Sequence, residues 1–302
     1  MNRRYAMYMV AAAAFATMPA FINPYWTDVL NTVGLYAVLA LSLNIILGHA
    51  GMFHMGHAAF YAVGAYTTAV LNVTFHVPVL WAMPAAGVLA ALFALVVARP
   101  IIHLRGDYLL IVTIGIVEIV RIALVNNIFD MTGGANGIFG IARPELFGFK
   151  IRKPVHFSRF GRALNYIRED EVAAEGSGVN TAAYKLGAFV LGAFWAGMAG
   201  TLFAAKMTII SPESFSFWES VVMFTIVILG GMGSIRGVLL GAFLIVGLPE
   251  VFRELASARM LVFGAAMVAM MIFRTQGLLP PAPRHYDLRG IMSGTQTREE
   301  RA

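Results

Sequence analysis

The stretch Tyr184-KLGAFVLGAFWAGMAGTLFAA-Lys206 carries no charged residue between Lys185 and Lys206. About 20 apolar residues in a helix cross the hydrocarbon core of a bilayer. Within the stretch, Ala188, Gly192, Ala196, Gly200 and Ala204 recur every fourth position, so they form one small-residue stripe along a helix face. In lipid the hydrophobic effect cannot hold helices together, and close backbone approach through small residues takes over. The stretch therefore reads as a membrane-spanning helix packed inside a bundle or between subunits. Working outward, further apolar runs fall near residues 28–47, 52–72, 78–98 and 107–128 on one side. Others fall near 217–231, 236–252 and 259–273 on the other, with one more at 5–22. The expected fold is all-α, a polytopic transmembrane bundle of about nine spans.

Composition agrees. Of 302 residues, 59% are hydrophobic and 13% charged, about half the charged fraction of a soluble domain. With no cysteine, disulfides and thiolate chemistry are excluded. The net charge of +6 is scattered between spans, which fits cytoplasmic loops rather than a nucleic-acid surface. The basic start Arg3-Arg4 with the apolar run after it has no good cleavage site, because Pro19 interrupts it. It reads as a retained first span. No phosphate-binding loop of the G-x-x-x-x-G-K-[ST] type occurs, and no nucleophile–base pairing is visible, so an enzyme is not expected. His49, His54 and His57 lack the carboxylates that would complete a metal site and are read as interfacial histidines at a span end.

Lysine and arginine set the orientation. Arg3, Arg4, Arg99 and Arg105 all fall on the cytoplasmic side through the fourth span. Between Phe129 and Ala183 this agreement fails. Five spans place Phe129 outside, yet the polar helix expected over 161–176 looks cytoplasmic, and no apolar run of spanning length lies between. Glu118 and Arg121, three apart on one face of the span 107–128, are read as a buried ion pair or part of a pathway. Gly233, Gly237 and Gly241 form a second small stripe. Leu47-Gly-His-Ala-Gly51 and Leu229-Gly-Gly-Met-Gly233 share an L-G-x-x-G pattern, a weak hint of an internal repeat.

Several segments together resemble the branched-chain amino acid permeases of the high-affinity ABC system. They are Gly48-HAGMFHMGHAAFYAVGAYTTAV-Leu71, Leu104-RGDYLLIVTIGIVEIV-Arg121, Thr132-GGANGIFG-Ile141, Ser158-RFGRALNYIREDEVAAEGSGVNTAAY-Lys185 and Leu229-GGMGSIRGVLLG-Ala242. The resemblance is to the LivM type within the LivH/LivM family. It implies a permease in the bacterial inner membrane, paired with a second, LivH-like permease. Two cytoplasmic ATPases and a periplasmic substrate-binding protein would complete the complex, and the chain itself would carry no cofactor or metal. A urea or small-amide permease, or a secondary transporter working alone, are the alternatives.

The resemblance also implies that 158–183 is a coupling segment for the ATPase, formed by Arg162, Arg168, Glu169, Asp170, Glu171, Ala173, Ala174, Glu175 and Gly178 within a membrane domain of 1–275. The tail 276–302 reads as polar and disordered. Glu118, Thr132 and Asn136 are the candidates for the translocation path. One departure stands out: family members carry a further span between the Thr-Gly-Gly-x-Asn-Gly loop and the Ser-x-Phe-Gly-Arg segment. Here Phe147-GFKIRKPVH-Phe157 runs straight into Ser158. With nine spans and an inside N-terminus, the coupling segment and the basic tail are then expected not both to be inside.

Overall fold

The computed structural model describes residues 23–104, 106–127, 131–141, 159–251, 268, 272, 274 and 277–280. The expected spans at 5–22 and 259–273 lie almost wholly outside the described residues, as does most of the tail. Helix α1 is Pro24–Asn44, running on through a π-helical turn at Ile45–His49. Its start is set by Asn23, whose side chain accepts from the Tyr25 amide, and by Pro24, which needs no amide partner there. Next come α2 (His57–Val73), α3 (Val79–Ile101) and α4 (Asp107–Val125). After the short strand β1 (Ile138–Phe139) follow α5 (Arg159–Glu169), α6 (Glu171–Gly176) and α7 (Thr181–Met207). Strand β2 (Ile209–Ile210) leads into α8 (Phe217–Gly230). Last come α9 (Ile235–Ala242), a π turn at Phe243–Gly247, and α10 (Leu248–Val251). Among the described residues, five helices are long and apolar enough to cross a membrane: Pro24–His49, Val79–Ile101, Asp107–Val125, Thr181–Met207 and Pro212–Gly230.

The centre is built from α2, α3 and α7, which pack on one another more extensively than any other helices described. Their contact is backbone on backbone. A Cβ on Gly64 of α2 would collide with the backbone of Gly197 on α7. A Cβ on Gly197 would lie 2.6 Å from the Ala90 methyl and 2.7 Å from the Ala86 carbonyl oxygen of α3. Gly192 turns toward α1 and Gly200 toward α2, and Ala196 and Ala204 are fully buried within this chain. The face of α3 that meets α7 is a stripe the sequence reading did not single out. Ala82, Ala86, Ala90, Ala94 and Ala98, each four apart, are all fully buried. Thr68 and Thr201 hydrogen-bond across α2 and α7 at 2.8 Å, a buried pair of the kind worth roughly 0.6 kcal/mol between membrane helices.

The helices alternate in direction and leave two ends. At one end lie the close of α1, the residues around Leu104, Arg168 and the start of α7, which line a common cavity. At the other, Lys206 at the close of α7 pairs with Asp28 in α1 at 3.2 Å, and Tyr25 donates to Glu250 of α10. There too β1 pairs antiparallel with β2, Ile138 opposite Ile210.

Two expectations change. Gly233 is not on a helix: it sits in the turn before α9 with φ of 86°, while Gly237 and Gly241 pack on the backbone of α8. Residues 277–280, expected in a disordered tail, are held by amide bonds from Leu278 to the Leu229 carbonyl and from Leu279 to the Gly230 carbonyl. They therefore lie at the end that also carries α5 and α6, so the α5–α6 segment and residues 277–280 share a side. The chain changes ends between Ile141 and Phe160, and residues 142–158, on which the expected topological conflict falls, are outside the described residues.

Candidate functional site

The polar segment expected as one helix over 161–176 is two, because Asp170 ends the first and caps the second. Its carboxylate accepts from the Ala173 amide at 3.0 Å, as an N-cap does. Arg162 falls on α5. Tyr166, Arg168, Glu169, Asp170, Val172, Ala173 and Glu175 are exposed, whereas Ala174 is fully buried and belongs to the inner face of the segment. Gly178 leads out of α6 with φ of 79°, a conformation that favours glycine.

The segment is fastened to the bundle at two places. Lys185 of α7, 5% exposed, bonds Glu171 at 2.5 Å, and Thr181 donates to Glu175 at 2.7 Å. The Lys185–Glu171 pair stands between an open cavity of about 480 Å³, lined by His103, Glu175 and Asn180 among others, and one of about 240 Å³ beneath Arg168. Because Lys185 is buried, Lys185→Ala leaves Glu171 without this partner. Breaking a wholly buried pair costs several kcal/mol. Glu171 keeps some solvent, so the expected cost is nearer ~1–2 kcal/mol, or amide exchange over 171–176 about tenfold faster. Unchanged exchange there would show that the pair does not hold the segment.

The second fastening is Arg168, which donates to the Gly48 carbonyl at 2.6 Å. Gly48 belongs to the first L-G-x-x-G fragment, and Gly233 of the second donates to Asn44, one turn before it, at 2.8 Å. The two fragments thus meet, at the close of α1 and the close of α8.

Two of the three histidines are not interfacial, while His49 is half-buried at the close of α1. His54 and His57 are both buried, and His57 Nε2 shares a 2.6 Å hydrogen bond with Ser42. His54 stacks on Phe60 and lies edge-on to Phe189. The segment 51–56 is unwound, so His54 precedes α2 rather than sharing it with His57. Among the described residues no group of three or more metal-ligating side chains gathers.

The path candidates have separate roles. Glu118 bonds Arg121 at 2.9 Å, both partly open on the outer helix α4, and Arg121 also reaches the exposed Glu213 of the turn before α8 at 3.1 Å. Thr132 closes the end of α4 by donating its hydroxyl to the Leu124 carbonyl and its amide to the Asn127 Oδ1. Asn136 sits on an exposed 3₁₀ turn. A carboxylate not singled out from sequence, Glu219 in the first turn of α8, accepts from Tyr36 of α1 at 2.7 Å. A charge inside the expected span 217–231 was the signal, since ionisable groups at membrane depth default to a functional reading.

Comparison with known proteins gives concordant results. The family described as "Branched-chain amino acid transport system / permease component" matches residues 25–151 and 154–273. The "High-affinity branched-chain amino acid transport system permease protein LivM" of Escherichia coli K12 is 38% identical, covering 96% of this chain and 79% of its own length. LivM of Salmonella typhimurium is 37% identical over 91% of this chain and 75% of its own. LivH of Salmonella typhimurium is 26% identical over 71% of this chain and 80% of its own. No solved structure matches. The Escherichia coli alignment spans 335 positions, while 96% of 302 residues is about 290, so roughly 45 positions are gaps in this chain. That is ample for one membrane span with its flanks.

Proposed function

The chain belongs to the branched-chain amino acid permease family, and on that premise we propose that it moves leucine, isoleucine or valine inward through an alternating-access path. ATP hydrolysis is performed by partner chains, with a second permease and a substrate-binding protein completing the complex. Likeness to both LivM and LivH supports a pair of related permeases. The observation that carries the reading is the α5–α6 segment. It presents an exposed polar face at one end of the bundle and is tied on its inner face to α7 and to the close of α1. A segment of that kind can be pushed by an ATPase and displace spans.

Single cysteines at Glu169, Val172 or Ala173, all exposed, are expected to cross-link to the ATPase in the assembled complex. A cysteine at buried Ala174 is expected not to. Absence of cross-links at all three exposed positions in an intact complex overturns the docking assignment.

A further inference from the structure

We infer that Arg168 is the residue through which the cytoplasmic segment moves both glycine turns of the membrane domain at once. This rests on the coupling role proposed above for α5 and α6. The observation is that three glycines from two distant fragments lie against one side chain. The Arg168 stem lies against Gly51, where a Cβ would meet the Arg168 Cγ at 3.0 Å and its Cα at 3.3 Å. Its Nη1 donates to the Gly48 carbonyl at 2.6 Å. The same Nη1 would lie 2.9 Å from a Cβ on Gly233. Gly51 and Gly233 hold φ of 69° and 86°, so both turns pass under the arginine in a left-handed conformation that side chains other than glycine resist.

The two turns are joined beneath it. Gly233 donates to the buried side chain of Asn44, and a Cβ on Gly48 would collide with that side chain and with the Gly233 amide. A displacement of Arg168 therefore acts on the close of α1 and on the turn between α8 and α9 together. The fastening through Lys185 and Thr181 acts on α7 alone. Arginine suits the position because a planar guanidinium can bond a carbonyl while lying flat between two close backbones; a lysine carries the charge without the plane.

The test uses the complete complex in proteoliposomes, with Arg168→Gln, Arg168→Lys and the parent chain, each also carrying the Val172 cysteine. Leucine uptake, ATP hydrolysis and cross-linking to the ATPase are read on the same preparation. Arg168→Gln is expected to cut leucine moved per ATP hydrolysed at least tenfold, with cross-linking at the parent level. Arg168→Lys should fall between. An unchanged ratio in Arg168→Gln overturns the inference. So does a loss of cross-linking in proportion to uptake, which would make Arg168 a docking support only. Failure of the parent chain to cross-link at Val172 would remove the coupling role itself, and is thereby told apart from a failure of Arg168.

Discussion

Gly200→Leu is expected to abolish recovery of intact complex after detergent extraction, while Leu202→Ala on the same helix leaves it within about twofold of the parent. A Cβ on Gly200 would already lie 2.5 Å from the Tyr61 carbonyl oxygen and 2.6 Å from the Ala65 amide of α2. Both are backbone atoms, so no side chain can rotate away. A leucine adds three more carbons beyond that Cβ, and the helices have to separate along their length. Overpacking costs about 1–3 kcal/mol even where side chains can yield. Here the close approach is itself the source of attraction, since lipid solvates a detached apolar helix as well as a neighbour does. Leu202 is 40% exposed on the outer face and gives the change no such burden. Gly200→Ala should fall between the two. Equal recovery of Gly200→Leu and Leu202→Ala would show that the α2–α7 contact is not what holds the bundle.

The second large effect concerns residues 142–158. Ile141 and the start of α5 at Arg159 belong to opposite ends of the bundle, and 17 residues join them. As a helix these would reach ~26 Å, short of the ~30 Å of a hydrocarbon core. The stretch also holds Arg143, Lys150, Arg152 and Lys153, each costing about 2.5–3.5 kcal/mol or more at the bilayer centre. The roughly 45 unmatched positions of the Escherichia coli relative, and the interruption of the family match between 151 and 154, agree with one span fewer at this place. The unmodified chain, supplied with its partner subunits, is therefore expected to take up leucine measurably but slowly. A version with about 20 apolar residues inserted after Lys153 is expected to raise uptake at least tenfold. Full uptake by the unmodified chain, with the coupling segment mapped to the cytoplasm, would sink this expectation.

How far the sequence could be read depended on what kind of contact was at stake. The spans at 28–47, 78–98, 107–128 and 184–206 were visible because length and hydropathy are properties of one segment. The stripe through Gly192 and Gly200 was visible for the same reason. The matching stripe Ala82–Ala98 obeys the same spacing yet was passed over, because alanine is common in any apolar helix and its role shows only against a partner. His54 and His57 were misplaced for a related reason. Their loop looks like a span end in sequence, but α7 and α1 fold over it and bring Phe189 and Ser42 onto the rings. The split at Asp170 was legible in principle, since Asp170 three residues before Ala173 is an ordinary N-cap pattern. With no proline anywhere in 161–176, however, one continuous helix is the plainer reading of the segment. The meeting of Gly48, Gly51 and Gly233 on Arg168 could not have been foreseen, because residues 120 positions apart share no local pattern.

The glycine and alanine contacts among α2, α3 and α7 bear on how such a chain can move. Helices interlocked backbone to backbone have no slack for sliding, so shear between them is blocked and the three behave as one rigid body. Mobility is then left to the elements outside that trio, α1 and the α8–α9 pair. Each carries a π-helical turn, at Ile45–His49 and at Phe243–Gly247, where one residue too many strains the helical ladder and lets the axis bend. The two bends lie on the elements that Arg168 links, so the hinge points of this membrane domain are built into the backbone of the parts that have to swing.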